Sequence, residues 1–169
     1  MNLPPNTHPL DHHEYMGMCI TLAQQAADVG EVPVGSIVVY RPDELHAYVI
    51  GQGFNLREST QDPTAHAEMI ALRQASQFLG SWRLIDCDLY VTLEPCLMCA
   101  GTLVNARIER VIYGCNDYKS GACDSLYQIP SDTRLNHRYQ VVPQVRAEEC
   151  KALLQTFFRA RRLQNKRRK

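Results

Sequence analysis

Met16, Cys19, Ile20, Ala23, Ala26 and Ala27 recur at three- and four-residue spacing, which predicts an amphipathic helix with one buried stripe. Asp11 is its expected N-cap, with Glu14 reaching back in the manner of a capping box, and Gly30 supplies a stop. The period then shortens. Residues 34–40 and 47–54 are rich in Val, Ile and aromatics and read as two strands of a hairpin, separated by the turn-favouring Arg41-Pro42-Asp43-Glu44. Residues 55–64 are polar without a period and read as a loop, and Asp62-Pro63-Thr64 marks the boundary of a second helix over about 65–79. Residues 88–93 form a strand of alternating character, and Pro95 at a first helical position opens a third helix. Strands over 110–115 and 139–142 and a last helix over about 146–163 complete the pattern. Strands interleaved with helices predict an α/β fold with helices on both faces of one sheet.

Composition narrows this picture. A chain of 169 residues, 45% hydrophobic, fits one globular domain with a core over about 11–163. No apolar run approaches the roughly 20 residues needed to cross a bilayer. Residues 1–9 have neither a basic start nor a hydrophobic centre, so the expectation is a cytoplasmic protein with no membrane partner. Seven cysteines, an odd number in a chain large enough to fold without staples, argue for reduced thiols. The net charge is zero but uneven. Residues 159–169 hold seven basic residues and no acidic one, leaving eleven basic against eighteen acidic elsewhere. A basic terminus on an acidic body suits a polyanion such as RNA, and equally suits a solvated tail at 164–169.

The chemistry is concentrated in His66-Ala67-Glu68 and Pro95-Cys96-Leu97-Met98-Cys99. Cysteines three apart on a helix share a face and reach one metal, and a place in its first turn favours the thiolate. Cys96 and Cys99 alone would equally suit a redox pair or half of a structural zinc site. Adding His66 gives three zinc ligands and leaves a fourth position for a water, as in catalytic sites, with Glu68 free to carry protons. His-x-Glu with Pro-Cys-x-x-Cys is the signature of zinc-dependent nucleobase deaminases. The remaining histidines have no such companions and read as surface residues.

The likeness extends beyond the ligands. Glu31-Val32-Pro33-Val34-Gly35, DPTAHAEMIALRQ at 62–74, RLIDCDLYVTLEPCLMCAG at 83–101, Asn136-His137-Arg138 and FFRARR at 157–162 together resemble the bacterial-type tRNA-specific adenosine deaminases of the cytidine deaminase superfamily, over roughly residues 14–163. The resemblance implies a three-layer α/β/α sandwich with a central mixed sheet of about five strands. It also implies one zinc ion per subunit held by His66, Cys96 and Cys99, and Glu68 as the proton shuttle. The activity implied is hydrolytic conversion of the wobble adenosine of a tRNA anticodon to inosine, by a homodimer that needs no nucleotide cofactor.

By the same resemblance Asn55 hydrogen-bonds the target base, and Pro33, Val34 and Leu93 line its pocket. Asp117 lies near the flanking ribose, where a carboxylate accepting from a 2′-hydroxyl helps select RNA. Phe157, Arg159, Arg161 and Arg162 are candidate contacts to the anticodon stem-loop, the arginines through phosphates, while Phe157 and Phe158 either stack on a splayed base or anchor the helix, with packing the default for at least one. The connection 41–46 is longer than the family usually has. Two rivals stay open: a relative acting on a free base or nucleoside, and a non-catalytic RNA-binding protein that keeps zinc for structure.

Overall fold

The computed structural model describes residues 11–167, with the side chain of Arg167 excepted. The expected leader and the last two residues of the basic tail lie outside the described residues. Helix α1 spans His12–Asp28, and Asp11 caps it by accepting from the backbone N–H of Glu14 at 3.0 Å. Glu14 thus takes part through its main chain, where a capping box would use its carboxylate. Of the predicted stripe, Met16, Cys19, Ile20, Ala23 and Ala26 are buried, joined by Tyr15 and Leu22, while Ala27 is half-buried.

The strands are β1 (Gly35–Tyr40), β2 (Tyr48–Phe54), β3 (Cys87–Leu93), β4 (Arg110–Cys115) and β5 (Gln140–Val142), in the order β2-β1-β3-β4-β5. β1 pairs antiparallel with both β2 and β3, whereas β3–β4 and β4–β5 are parallel, so the sheet is mixed as expected. The interleaved helices are α2 (Arg57–Thr60), α3 (Ala67–Leu79), α4 (Leu97–Ala106) and α5 (Ala147–Arg167).

Successive residues of a strand face opposite sides of the sheet, and the core divides accordingly. Val38, Leu89, Val91, Val111 and Tyr113 pack with residues of α3 and α4. Ile37, Val39, Tyr90 and Ile112 pack with residues of α1 and α5. That is the three-layer sandwich. β3 is buried almost throughout, so the alternating character of its sequence does not mark a solvent face: a central strand covered on both sides has none. Its polar residue Asp88 is fully buried and lies between the guanidinium groups of Arg41 and Arg110.

Three further boundaries depart from expectation. The loop 55–64 contains α2, where the backbone N–H of Ser59 donates to the buried Glu31 carboxylate at 2.6 Å. Helix α4 starts at Leu97 with Cys96 as its N-cap, so Pro95 precedes the helix and does not open it; Cys96 is extended and bridges to Gly121. Helix α5 runs to Arg167, so part of the expected basic tail is helical.

Candidate metal centre and base cavity

The ends of two helices and the loop after β2 converge at one end of the sheet. Leu56 donates its N–H to the carbonyl of Ala65 at 3.0 Å, and Asp62 accepts from the backbone and hydroxyl of Thr64 at 2.8 and 2.7 Å. This closed turn delivers His66 as the N-cap of α3, with an extended backbone. Helix α3 sits close against β2 because Gly53 has no side chain: a Cβ there would lie 2.7 Å from the carbonyl oxygen of Ala67. Opposite, Cys96 caps α4 and Cys99 is its third residue.

His66 Nδ1 lies 3.6 Å from Cys96 Sγ and 3.7 Å from Cys99 Sγ, and the three ligand atoms all fall within 4.8 Å of one another. A tetrahedral zinc with bonds of about 2.3 Å to sulfur and about 2.0 Å to nitrogen separates such atoms by about 3.5 Å. The donor set therefore fits zinc in both chemistry and spacing. The Cys99 hydrogen bond and the neighbouring imidazole bring the Cys96 thiol down to about 4, burial opposing them. Cys99 is pushed up by the Cys96 sulfur beside it and by burial. His66 is raised, first by its hydrogen bond to Cys96. Two sulfurs and an imidazole crowded together in this way are a set that a divalent cation relieves.

Glu68, the second residue of α3, is 4% exposed. Burial raises its carboxyl to about 7, with the Cys96 charge adding to the effect. A carboxyl poised near neutrality in a cleft is suited to accept and return a proton.

A cavity of about 160 Å³ opens over these groups, walled by Val32, Val34 and Leu93 and reached by Asn55, Glu68, His66, Cys96 and Asp117. Pro33 is buried and does not line it; Val32 stands where Pro33 was expected, with Pro33 at the centre of a tight turn that Val34 N closes by donating to Val32 O at 2.8 Å. Asn55 is 7% exposed and donates through Nδ2 to Glu31 Oε2 at 3.1 Å. Burial raises Glu31, but the Ser59 donors outweigh it and hold the carboxyl low, so Glu31 stays an acceptor and fixes which end of the Asn55 amide faces it. Asp117 stands at the rim, its carboxylate accepting from Lys119 N, Ser120 N and Ser120 Oγ at 2.9, 3.2 and 2.5 Å. It shapes its own loop as well as facing the cavity.

The four candidate RNA residues of α5 do not share a face. Arg159 and Arg162 line a groove of about 710 Å³ with Lys151, Phe158, Asn116 and Tyr118. Phe157 and Arg161 border a separate depression against Ala27 and Gly30, the guanidinium 5.9 Å from the ring centre. Of the two phenylalanines, Phe158, 41% exposed, is the ring on the groove, and Phe157 is not. Helical spacing could have separated 157 and 161 from 158 and 162, since residues four apart share a face.

Residues 10–162 match the MafB19-like deaminase family. The chain is 44% identical to the tRNA-specific adenosine deaminase of Haemophilus influenzae over 151 residues, covering 89% of this chain and 85% of that protein. It is 42% identical to the tRNA-specific adenosine deaminase of Bacillus subtilis, over 90% of this chain and 91% of that one. The chain belongs to the tRNA-specific adenosine deaminase family. A solved structure described as a tRNA:A34 deaminase editing A to I at the wobble position superposes on the deaminase with a TM-score of 0.77, at 36% identity over 83% of this chain and 99% of that one. A guanine deaminase from Nitrosomonas europaea shares the fold, with a TM-score of 0.74 at 19% identity over 92% of this chain and 93% of that one.

Further residues, Val32, Arg57, Glu94 and Ser120, stand beside the cavity. Glu94 carried a signal, an acid between an apolar strand and the first metal cysteine, where burial demands partners.

Proposed function

We propose that this deaminase hydrolyses the exocyclic amine of adenosine at the wobble position of a tRNA anticodon, leaving inosine. The observation that carries the reading is the buried Glu68, raised to about 7, beside three converging ligand atoms at a small cavity that Glu68, His66 and Cys96 line. His66, Cys96 and Cys99 hold one zinc ion per subunit. Bound there, zinc supplies a Lewis acid that lowers the pKa of a coordinated water towards about 7.

Glu68 takes a proton from the attacking water and delivers it to the ring nitrogen beside the amine as the new C–O bond forms. It then takes the proton of the newly added hydroxyl and passes it to the amine as the C–N bond breaks and the carbonyl forms, so one carboxylate acts as base and then as acid. Ammonia leaves and a carbonyl remains. Asn55, held by Glu31, orients the base through its edge, while Val34 and Leu93 flank the ring and exclude water. Asp117 meets the flanking ribose.

An anticodon loop already presents partly unpaired bases, so extruding one costs a few kcal/mol at most. Its phosphates meet Lys151, Arg159 and Arg162 along the α5 groove, and Phe158 offers a stacking face. Arg161 and Phe157 act from the neighbouring side. Leu97, Leu126 and Tyr127 are exposed apolar residues that a second copy would cover in a homodimer. Seven free cysteines suit a reducing cytoplasm.

The test is to incubate zinc-loaded protein with an arginine tRNA carrying adenosine at the first anticodon position, beside free adenosine, cytidine and guanine, and to assay inosine and ammonia. Inosine in the tRNA alone is the expected result. Ammonia from a free base or nucleoside alone would move the enzyme to another substrate class, and tRNA binding with no conversion would make it an RNA-binding protein.

A further inference from the structure

Glu94 ends at the junction between β3 and the metal turn, and the proton-transfer scheme does not use it. It is 2% exposed. Its carboxylate accepts from the backbone N–H groups of Asp117, Cys123, Asp124 and Ser125 at 3.0, 3.1, 2.8 and 2.9 Å, and from the Ser125 hydroxyl. A carboxylate offers about four acceptor positions, so this one is saturated. All five donors belong to the loop after β4.

That loop is laid against the metal turn with little freedom. Glu94 N donates to Cys115 O at 2.9 Å, Ala122 N donates to Pro95 O at 2.8 Å, and Gly121 bridges Cys96. A Cβ on Gly121 would collide with the Glu94 carboxyl group, so the close approach requires glycine. The loop faces substrate on two sides. Asp117 and Ser120 border the base cavity, while Asn116 and Tyr118 border the α5 groove with Lys151, Arg159 and Arg162. Asn116 extends the connection, donating to Ser125 Oγ at 3.2 Å and accepting from Gln144 Nε2 at 3.1 Å. An unbroken line of hydrogen bonds therefore runs from the groove through Asn116 and Ser125 to Glu94, the residue two before the first metal cysteine.

We infer that Glu94 is a positioning residue that fixes the RNA-facing loop 116–125 relative to the metal turn, and so governs capture of the nucleotides flanking the target rather than the proton transfers at it. The inference rests on the proposed tRNA activity. An interaction present equally in the bound complex and in the transition state acts on KM and leaves kcat alone. Loosening the loop therefore weakens RNA binding without touching Glu68.

The experiment is steady-state deamination of an anticodon stem-loop by wild type, Glu94→Gln and Ser125→Ala, each with zinc content measured. In Glu94→Gln one acceptor oxygen becomes a donor facing backbone N–H groups. The expected result is a KM raised about tenfold with kcat within about threefold and one zinc per chain. Ser125→Ala removes one donor to Glu94 and the acceptor of Asn116 Nδ2 but leaves the carboxylate and its four backbone partners, so its KM should rise about threefold at full zinc occupancy; it carries the test if Glu94→Gln does not fold. Replacing the 2′-hydroxyl beside the target by hydrogen should raise KM in wild type and have less effect in the variants. A fall in kcat at unchanged KM, loss of zinc in step with activity, or no change in either variant would each overturn the inference. Wild type that leaves the stem-loop unconverted would overturn the tRNA reading itself, and the inference with it.

Discussion

Buried carboxylates stand at both ends of this sheet, and they are treated in opposite ways. Asp88, fully buried at the start of β3, is gripped from two sides. Arg41 donates from Nε and Nη2 at 2.7 and 3.2 Å, and Arg110 from Nε and Nη2 at 3.0 and 2.6 Å. Arg41 also reaches Glu109 at 2.8 Å, which balances the cluster. Glu68, at the other end, is 4% exposed and shares its surroundings with an imidazole and two thiols. A guanidinium is permanently charged and binds a carboxylate in a fixed fork, so the Asp88 end is a closed structural joint. Desolvation without such a partner brings Glu68 to about 7, where a proton can be taken and returned. Burial alone does not set a carboxylate's role: guanidinium groups grip Asp88, and hydrogen-bond donors hold the buried Glu31 and Glu94 low, whereas burial raises Glu68.

The most severe break of this contrast is at Glu68. Glu68→Ala should lower turnover on the anticodon stem-loop by about 10²–10⁴-fold, the usual contribution of a general acid–base, while keeping one zinc per chain because Glu68 is not a ligand. Turnover at the wild-type level would end the proton-shuttle assignment. At the Asp88 end the consequence moves from rate to stability. Asp88→Asn leaves two guanidinium groups facing a neutral amide, and breaking a buried ion pair in this way costs about 3–5 kcal/mol. Denaturant unfolding should show that loss, with kcat on the surviving folded fraction close to wild type. An unchanged midpoint would mean that the cluster is no joint.

The two ends also differed in how far the sequence disclosed them. His66, Glu68, Cys96 and Cys99 were legible because a metal demands particular atoms at particular spacings, and the structure brings all three ligands together. The strands and the larger helices were legible from period. Asp88 was not: it read as one polar position in an alternating strand, because nothing local announces that Arg41, 47 residues earlier, folds onto it. Arg41 opens the long connection 41–46, whose purpose was obscure for the same reason. Helix α2 was hidden by its four-residue length, and its partner Glu31 is 28 residues from Ser59. Pro95 misled because proline favours both the first helical position and the extended residue before a cap, and the pairing of Cys96 with Gly121 decides between them. The side of α5 on which each basic residue falls was open to helical spacing.

A smaller effect sharpens the contrast through pH. Burial raises Glu68 from 4.5 to about 7, so the folded chain holds a proton that the unfolded chain releases. In the protein stripped of zinc by a chelator, the Glu68 contribution to stability should therefore fall as pH rises from about 4.5 to about 7 and its penalty is complete above that, while Cys96, brought down to about 4, contributes with the opposite sign in both wild type and variant. Two and a half pKa steps correspond to about 3 kcal/mol. Chelator-treated Glu68→Gln escapes this penalty and should be more stable than wild type by up to about 3 kcal/mol at pH 8, with the difference vanishing below about pH 4.5. Equal stability across that range would place Glu68 in a more polar setting than its burial indicates.

The weakest perturbation should leave both ends untouched. Residues 164–169 contribute Lys166, Arg167, Arg168 and Lys169, and α5 carries the described part of this segment out along an exposed stretch. Deleting them removes cations without opening the core. If these cations meet tRNA phosphates, KM for the stem-loop should rise a few-fold at low salt, and the slope of log KM against log salt should fall by about 0.7 for each phosphate no longer neutralised. kcat should hold, since Glu68 is untouched, and the unfolding midpoint should hold, since Asp88 keeps both arginines. An unchanged salt slope would identify the segment as a solvated extension of α5 and leave RNA capture to Lys151, Arg159 and Arg162 in the groove.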